Sequence, residues 1–202
     1  MNRKLGLTLT AAAGLVAWAL SGTVATPAAS AAAPAKFIGV SGCGSSSCHG
    51  NPSGSNEMKT WQDKDPHAGA YEKLSDEKAT KIAKAVGEAD ATTSAKCLGC
   101  HSTGGDASAD MKEKTLKAED GVSCESCHGA GSAYKDDKHQ KDRAFALANG
   151  LVDLAKKDVR KANCDKCHGK IDDKMVAAGH PKPSTYDERE EKYSKFAHWK
   201  KK

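Results

Sequence analysis

The chain has 202 residues, 28% of them charged and 38% hydrophobic, with 31 lysines and arginines against 26 acidic residues for a formal charge of +5 at pH 7. From Ala32 onward it holds eighteen Leu, Ile, Val and Phe, about one residue in ten and well under the ~20% below which a chain reads as disordered. Its own side chains cannot offset the entropy of ordering, which excludes an ordinary hydrophobic-core domain. Disulfides, metals or a large apolar cofactor must supply the core, and eight cysteines are available for it.

In chain order, residues 1–31 read as a secretory signal peptide. Arg3 and Lys4 form a basic start, Leu5 to Leu20 an apolar run, and Ala29-Ser30-Ala31 a small-residue cleavage site. A retained anchor is the alternative, but the run falls short of the ~20 residues of a span. No cysteine follows it until Cys43, against a lipid-modified terminus. Residues 32–202 then form a single domain. Ser55 to Asp63 and Pro66 to Leu74 read as short helices, and Ser75 as the cap of a helix from Asp76 to Val86, with Gly87 just past its end. Gly104 to Ala118 is small and polar, then charged: a loop followed by a marginal helix. Asp142 to Ala148 and Val152 to Lys161 read as helices interrupted by Asn149-Gly150, and Ser184 to Tyr193 as another. No segment shows sustained strand alternation. The expected fold is mainly α and loop-rich, a single domain wrapped round covalently bound cofactors with little or no sheet.

All eight cysteines fall into four pairs, each followed directly by histidine: Cys43 and Cys48 with His49, Cys97 and Cys100 with His101, Cys124 and Cys127 with His128, Cys164 and Cys167 with His168. Three read C-x-x-C-H, the attachment motif of c-type haem, and the first reads C-x4-C-H. Two thiols one short turn apart reach the two vinyl groups of a haem, and the next imidazole binds its iron. The longer first loop, Gly44 to Ser47, is small enough to bulge and keep both sulfurs in reach. A disulfide framework, zinc sites and a thioredoxin-like centre are the alternatives, and none requires histidine after every pair. Four haem c groups are the expected cofactors, and export fits them, because bacterial haem attachment takes place across the membrane.

Four histidines remain as candidate distal ligands: His67, His139, His180 and His198. Eight histidines for four irons suggest bis-histidine coordination, which leaves no open site and favours electron transfer over catalysis. His67 follows Pro66, which suits the first turn of a helix. His180 precedes a loop stiffened by Pro181 and Pro183, and His198 sits among Phe196, Ala197 and Trp199. His139 lies in a wholly charged stretch that fits a solvated face equally well. Met58, Met111 and Met175 stay open as substitutes. Cys97 and Cys124 are close in sequence relative to the size of a haem, so neighbouring haems must lie near each other.

These motifs resemble the cytochrome c554 group of multihaem cytochromes. The resemblance rests on Phe37-Ile-Gly-Val-Ser-Gly-Cys43 running to Cys48-His49-Gly50, on Trp61 and Pro66-His67-Ala68, on Gly121-Val-Ser-Cys-Glu-Ser-Cys-His-Gly-Ala-Gly-Ser132, and on Lys195-Phe-Ala-His198. It implies a periplasmic electron carrier with closely packed haems, in some relatives serving nitrogen-oxide or hydroxylamine metabolism, and in some leaving one haem five-coordinate. Many relatives carry histidine shortly after the G-x-G-S turn, where this chain has Tyr134; that makes one sixth ligand an open question.

Removal of Arg3 and Lys4 lowers the charge from +5 to +3, and each ferric bis-histidine haem with ionised propionates subtracts about one more, so nucleic acid is not an expected partner. Redox proteins are: a quinol-oxidising or dehydrogenase donor, and a terminal reductase or extracellular acceptor. The Lys200 to Lys202 tail reads as a solvated terminus or as steering for an acidic redox partner. After processing the protein should not span a membrane, and a homo-oligomer is possible. The sequence therefore reads as an exported tetrahaem electron carrier of periplasmic or extracellular respiration. Its alternatives are an enzyme with one five-coordinate haem acting on a small nitrogen oxide or hydroxylamine, and a subunit of a haem-stacked filament.

Overall fold

A computed structural model describes residues 34–54, 56–136, 138 and 141–194. Contacts divide the chain into Met1–Ala32 and Ala33–Lys202, and every element below belongs to the second unit. The expected signal segment, His139 and His198 lie outside the described residues.

The described chain is helical and loop-rich. Its α-helices are α1 (Val40–Cys43), α2 (Glu57–Lys64), α3 (Glu77–Ala85), α4 (Ala95–His101), α5 (Cys124–His128), α6 (Arg143–Ala148), α7 (Lys157–His168), α8 (Asp173–Ala177) and α9 (Tyr186–Tyr193), with 3₁₀ turns at Tyr71–Ser75, Ala109–Met111, Ala118–Asp120 and Gly131–Ala133. Among the described residues the only extended pairing is an isolated parallel bridge between Phe37 and Lys112. None of the described helices is long and apolar enough to cross a membrane.

Local chemistry sets the helix boundaries. Asp76, not Ser75, caps α3, its carboxylate accepting from Ala79 N at 2.7 Å; an ionised cap one residue later also meets the positive end of the helix. Thr185 and Glu188 form a reciprocal capping box at α9. Pro66 to Leu74 is not the expected α-helix: turns lead from Pro66 into the 3₁₀ turn at Tyr71, because Asp65 takes the His67 N–H at 3.0 Å and bends the chain there. Residues 104–118 form turns rather than ending in a helix. The helix expected from Val152 begins at Lys157 and runs on through the fourth cysteine pair to His168.

The apolar core is thin. Leu74, Ala79, Ala83, Ala91 and Cys97 form its main cluster, with Tyr71 and Leu98 packed against it; among the described residues four of the ten buried apolar ones are alanine, each of which buries little area. Buried polar groups do much of the joining. Glu125, 2% exposed, accepts from the backbone N–H groups of Ile38, Gly39 and Gly131 at 2.7–3.0 Å. Thr103, also 2% exposed, accepts from Ser123 N at 2.7 Å and meets the Ser123 and Ser126 hydroxyls at 2.9 and 2.8 Å. Gly121 runs against the His67–Ala68 backbone with φ +64°, and a Cβ there would fall 2.5 Å from Ala68 O; only glycine fits both the angle and the approach.

Candidate functional site

Each of the second, third and fourth cysteine pairs lies on a helix that ends at its histidine: α4 at His101, α5 at His128 and α7 at His168. One helical turn puts both sulfurs and the imidazole on neighbouring positions. The first pair differs. Cys43 ends α1, Cys48 lies in the following turn, and His49 N returns to Cys43 O at 3.3 Å, so the longer loop closes back on its first cysteine. Met58 packs its sulfur on Gly44 in that loop. Met175 offers its backbone carbonyl to His180 N at 2.9 Å.

The pairs meet one another. Cys43 is within hydrogen-bonding reach of Cys124, and Cys100 of Cys167. In each couple one thiol is pushed up by the bond to its neighbour and by burial, Cys43 in the first and Cys167 in the second. Cys127 is pushed up to about 12, first by burial and then by the nearby Cys164. The four motifs therefore adjoin in the order first, third, fourth, second. All eight cysteines are free of disulfides, and among the described residues no group of three or more His, Cys, Asp and Glu converges as a bare metal site.

Two imidazole couples form across the chain. The ring centroids of His67 and His168 are 6.0 Å apart at 72°, and those of His101 and His180 are 6.3 Å apart at 86°. A metal bonded at about 2 Å by the Nε2 atoms of two imidazoles sets their centroids about 6 Å apart, so the donor set and its spacing fit an iron between each couple. Hydrogen bonds support this use of the rings. His67 Nδ1 donates to Asp65 at 2.8 Å, His101 Nδ1 to Ala70 O at 2.8 Å, and His180 Nδ1 to Pro181 O at 2.9 Å. With Nδ1 carrying the proton, Nε2 keeps a free lone pair. Burial, followed by the nearby His67 and Arg189, holds His168 below the usual imidazole range. His49 Nδ1 lies 3.4 Å from the Glu57 carboxylate.

A cavity of about 360 Å³ opens beside the fourth motif, bordered by His67, His168, Cys127, Cys164 and Cys167 and walled by Leu154, Tyr186 and Tyr193. Its apolar and aromatic lining next to paired thiols and imidazoles suits a flat apolar cofactor.

Tyr134 is the residue at which the resemblance implies histidine in many relatives. Its hydroxyl donates to His128 O and Gly129 O at 3.0 and 2.9 Å, so it buckles the end of the third motif and its hydroxyl proton is directed to carbonyls. Sequence reasoning missed Asp65, Glu125, Thr103 and Tyr193. Of these, only Asp65 carried a local signal, an aspartate two residues before His67 that can form an Asx turn.

Residues 42–129 match the family described as cytochrome c554 and c-prime. The chain is 35% identical over 167 residues, 78% of its own length and 67% of the relative's, to cytochrome c-554 of Nitrosomonas europaea. No solved structure matches significantly.

Proposed function

Because this chain belongs to the cytochrome c554 family of c-type cytochromes, whose cofactor is haem c, we propose that it is an exported tetrahaem carrier of single electrons. Haem supplies a reversible one-electron change between iron(III) and iron(II). Cys43 and Cys48, Cys97 and Cys100, Cys124 and Cys127, and Cys164 and Cys167 hold four haems as thioethers. His49, His101, His128 and His168 are the proximal ligands.

The observation that carries this reading is the pair of imidazole couples at 6.0 and 6.3 Å. His67 is the partner of His168, and His180 the partner of His101. His139 and His198 are left for the irons at His49 and His128. Two imidazoles per iron leave no position for substrate, and abutting motifs bring the haems close enough to pass electrons among themselves. Residues 1–31 serve as a cleaved signal peptide and 32–202 as the haem domain, which places the protein in the periplasm or outside the cell. Its partners are redox proteins: a quinol-oxidising or dehydrogenase donor, and a terminal reductase or extracellular acceptor.

Tyr134 favours one second reading. Its hydroxyl is directed to two carbonyls, so the iron that takes histidine from this position in relatives needs His139 instead; without it, that haem is five-coordinate and can bind a small nitrogen oxide or hydroxylamine. A pyridine haemochrome assay should return four haems per chain, and electron paramagnetic resonance should show low-spin iron alone. A high-spin ferric signal, with a carbon monoxide shift after reduction, would establish the second reading in place of the first.

A further inference from the structure

Next to Pro66 and His67, which border the cavity beside the fourth motif, the chain carries a buried carboxylate that no described lysine or arginine pairs with. The Asp65 side chain is 3% exposed. One carboxylate oxygen accepts from the His67 backbone N–H at 3.0 Å and from its ring Nδ1–H at 2.8 Å, and the other accepts from the Tyr193 hydroxyl at 2.8 Å. The Tyr193 ring also packs edge-on against His67, centroid to centroid 5.4 Å. The two arginines that border the cavity have carboxylate partners of their own, Arg160 with Glu190 and Arg189 with Asp165, and Lys192 also borders it. The other couple has no such carboxylate, since His101 and His180 donate to the neutral carbonyls of Ala70 and Pro181.

We propose that Asp65, braced by Tyr193, positions His67 as a ligand and lowers the reduction potential of the iron that His67 shares with His168. The inference rests on the haem reading above. A carboxylate that takes the Nδ1 proton in a hydrogen bond fixes the tautomer and makes Nε2 a stronger electron donor. Burial of the carboxylate also reduces the solvent screening of its negative charge. Both effects favour iron(III) over iron(II). The step involved is the gain of one electron from a redox partner protein; no bond forms or breaks, and the proton stays on Nδ1. Tyr193 acts in the opposite sense, because its hydroxyl draws charge from Asp65, so it moderates the effect while fixing the carboxylate's position.

The test is a spectroelectrochemical titration of the intact holoprotein and of its Asp65→Asn and Tyr193→Phe variants, each with haem counted by pyridine haemochrome. Asp65→Asn should keep four haems and move one wave upward by a tenfold or greater change in the reduction equilibrium, about 59 mV for one electron. Tyr193→Phe should move one wave downward by a smaller factor. Opposite signs separate tuning from structural damage, which would move both variants alike. If Asp65→Asn leaves every wave in place, or if both variants move the same way, the proposal is overturned. If Asp65→Asn does not accumulate, Tyr193→Phe decides the matter, and an upward or absent shift overturns it. Fewer than four haems in the unaltered protein would instead overturn the haem count on which the proposal stands, and the assay separates that failure from the others.

Discussion

The third and fourth attachment motifs carry the same five-residue chemistry and are held by opposite physical means. Around the third, buried uncharged donors and one buried carboxylate join loops: Glu125 gathers three backbone N–H groups, Thr103 ties the lead-in at Ser123, and Tyr134 closes the end at His128 and Gly129. Around the fourth, α9 docks on α7 through ion pairs, Arg160 with Glu190 and Arg189 with Asp165, on a more open face. A motif between loops has no helix partner to set its position, so each backbone group must find a specific acceptor. A motif at the end of a twelve-residue helix inherits its position from the helix and needs only to be docked. The two regions should therefore fail under different conditions.

The largest effect that would sharpen this contrast is expected from Glu125→Ala. It strands three buried N–H groups, at about 1–3 kcal/mol each, so thermal unfolding should show a loss on the order of 3 kcal/mol or more. A loss under 1 kcal/mol would mean that the first and third motifs are not joined through this carboxylate. Thr103→Val keeps the shape and removes the acceptor for Ser123 N; about 1–3 kcal/mol should be lost, measured in the same way.

Acid should separate the regions next. Hydrogen bonds from Tyr186 and Arg160 hold Glu190 below the usual carboxylate range, and those from Lys161 and Arg189 do the same for Asp165. Groups lowered in the folded state stabilise it above their unfolded values, near pH 4, and that contribution is lost as pH falls through the lower folded values. Burial raises Glu125 instead, despite its three backbone bonds, so its contribution has the other sign: present in acid and lost as pH rises through the folded value. Hydrogen exchange from pH 5 down to 3, corrected for intrinsic rates, should show α9 losing protection while the amides of Ile38, Gly39 and Gly131 keep theirs. Equal loss in both regions would break the contrast.

The smallest effect is expected from Tyr134→Phe. Removing a hydroxyl donated to two carbonyls should lower stability by about 1 kcal/mol and leave every haem spectrum and potential unchanged. A change in the spin state of one haem would show that Tyr134 serves an iron rather than a turn.

The grouping of cysteines with a following histidine was legible in the sequence because it is local: two thiols and an imidazole close in the chain need no distant residue to meet. Helix stretches with side-chain caps, α3, α6 and α9, were legible for the same reason, to within a residue or two at their ends. Pro66 to Leu74 was misread because the Asp65 side chain competes for the backbone that a helix would have used. Pairing His67 with His168 and His101 with His180 was beyond the sequence, since each couple joins segments far apart in the chain, and only the packing of turns against α4 and α7 brings them within reach. The same holds for Glu125, whose position between two cysteines says nothing of the three backbone N–H groups it meets, and for Tyr193 at Asp65. Covalent and capping chemistry depends on neighbours in sequence, whereas the second ligand of an iron and the groups that tune it depend on neighbours in space.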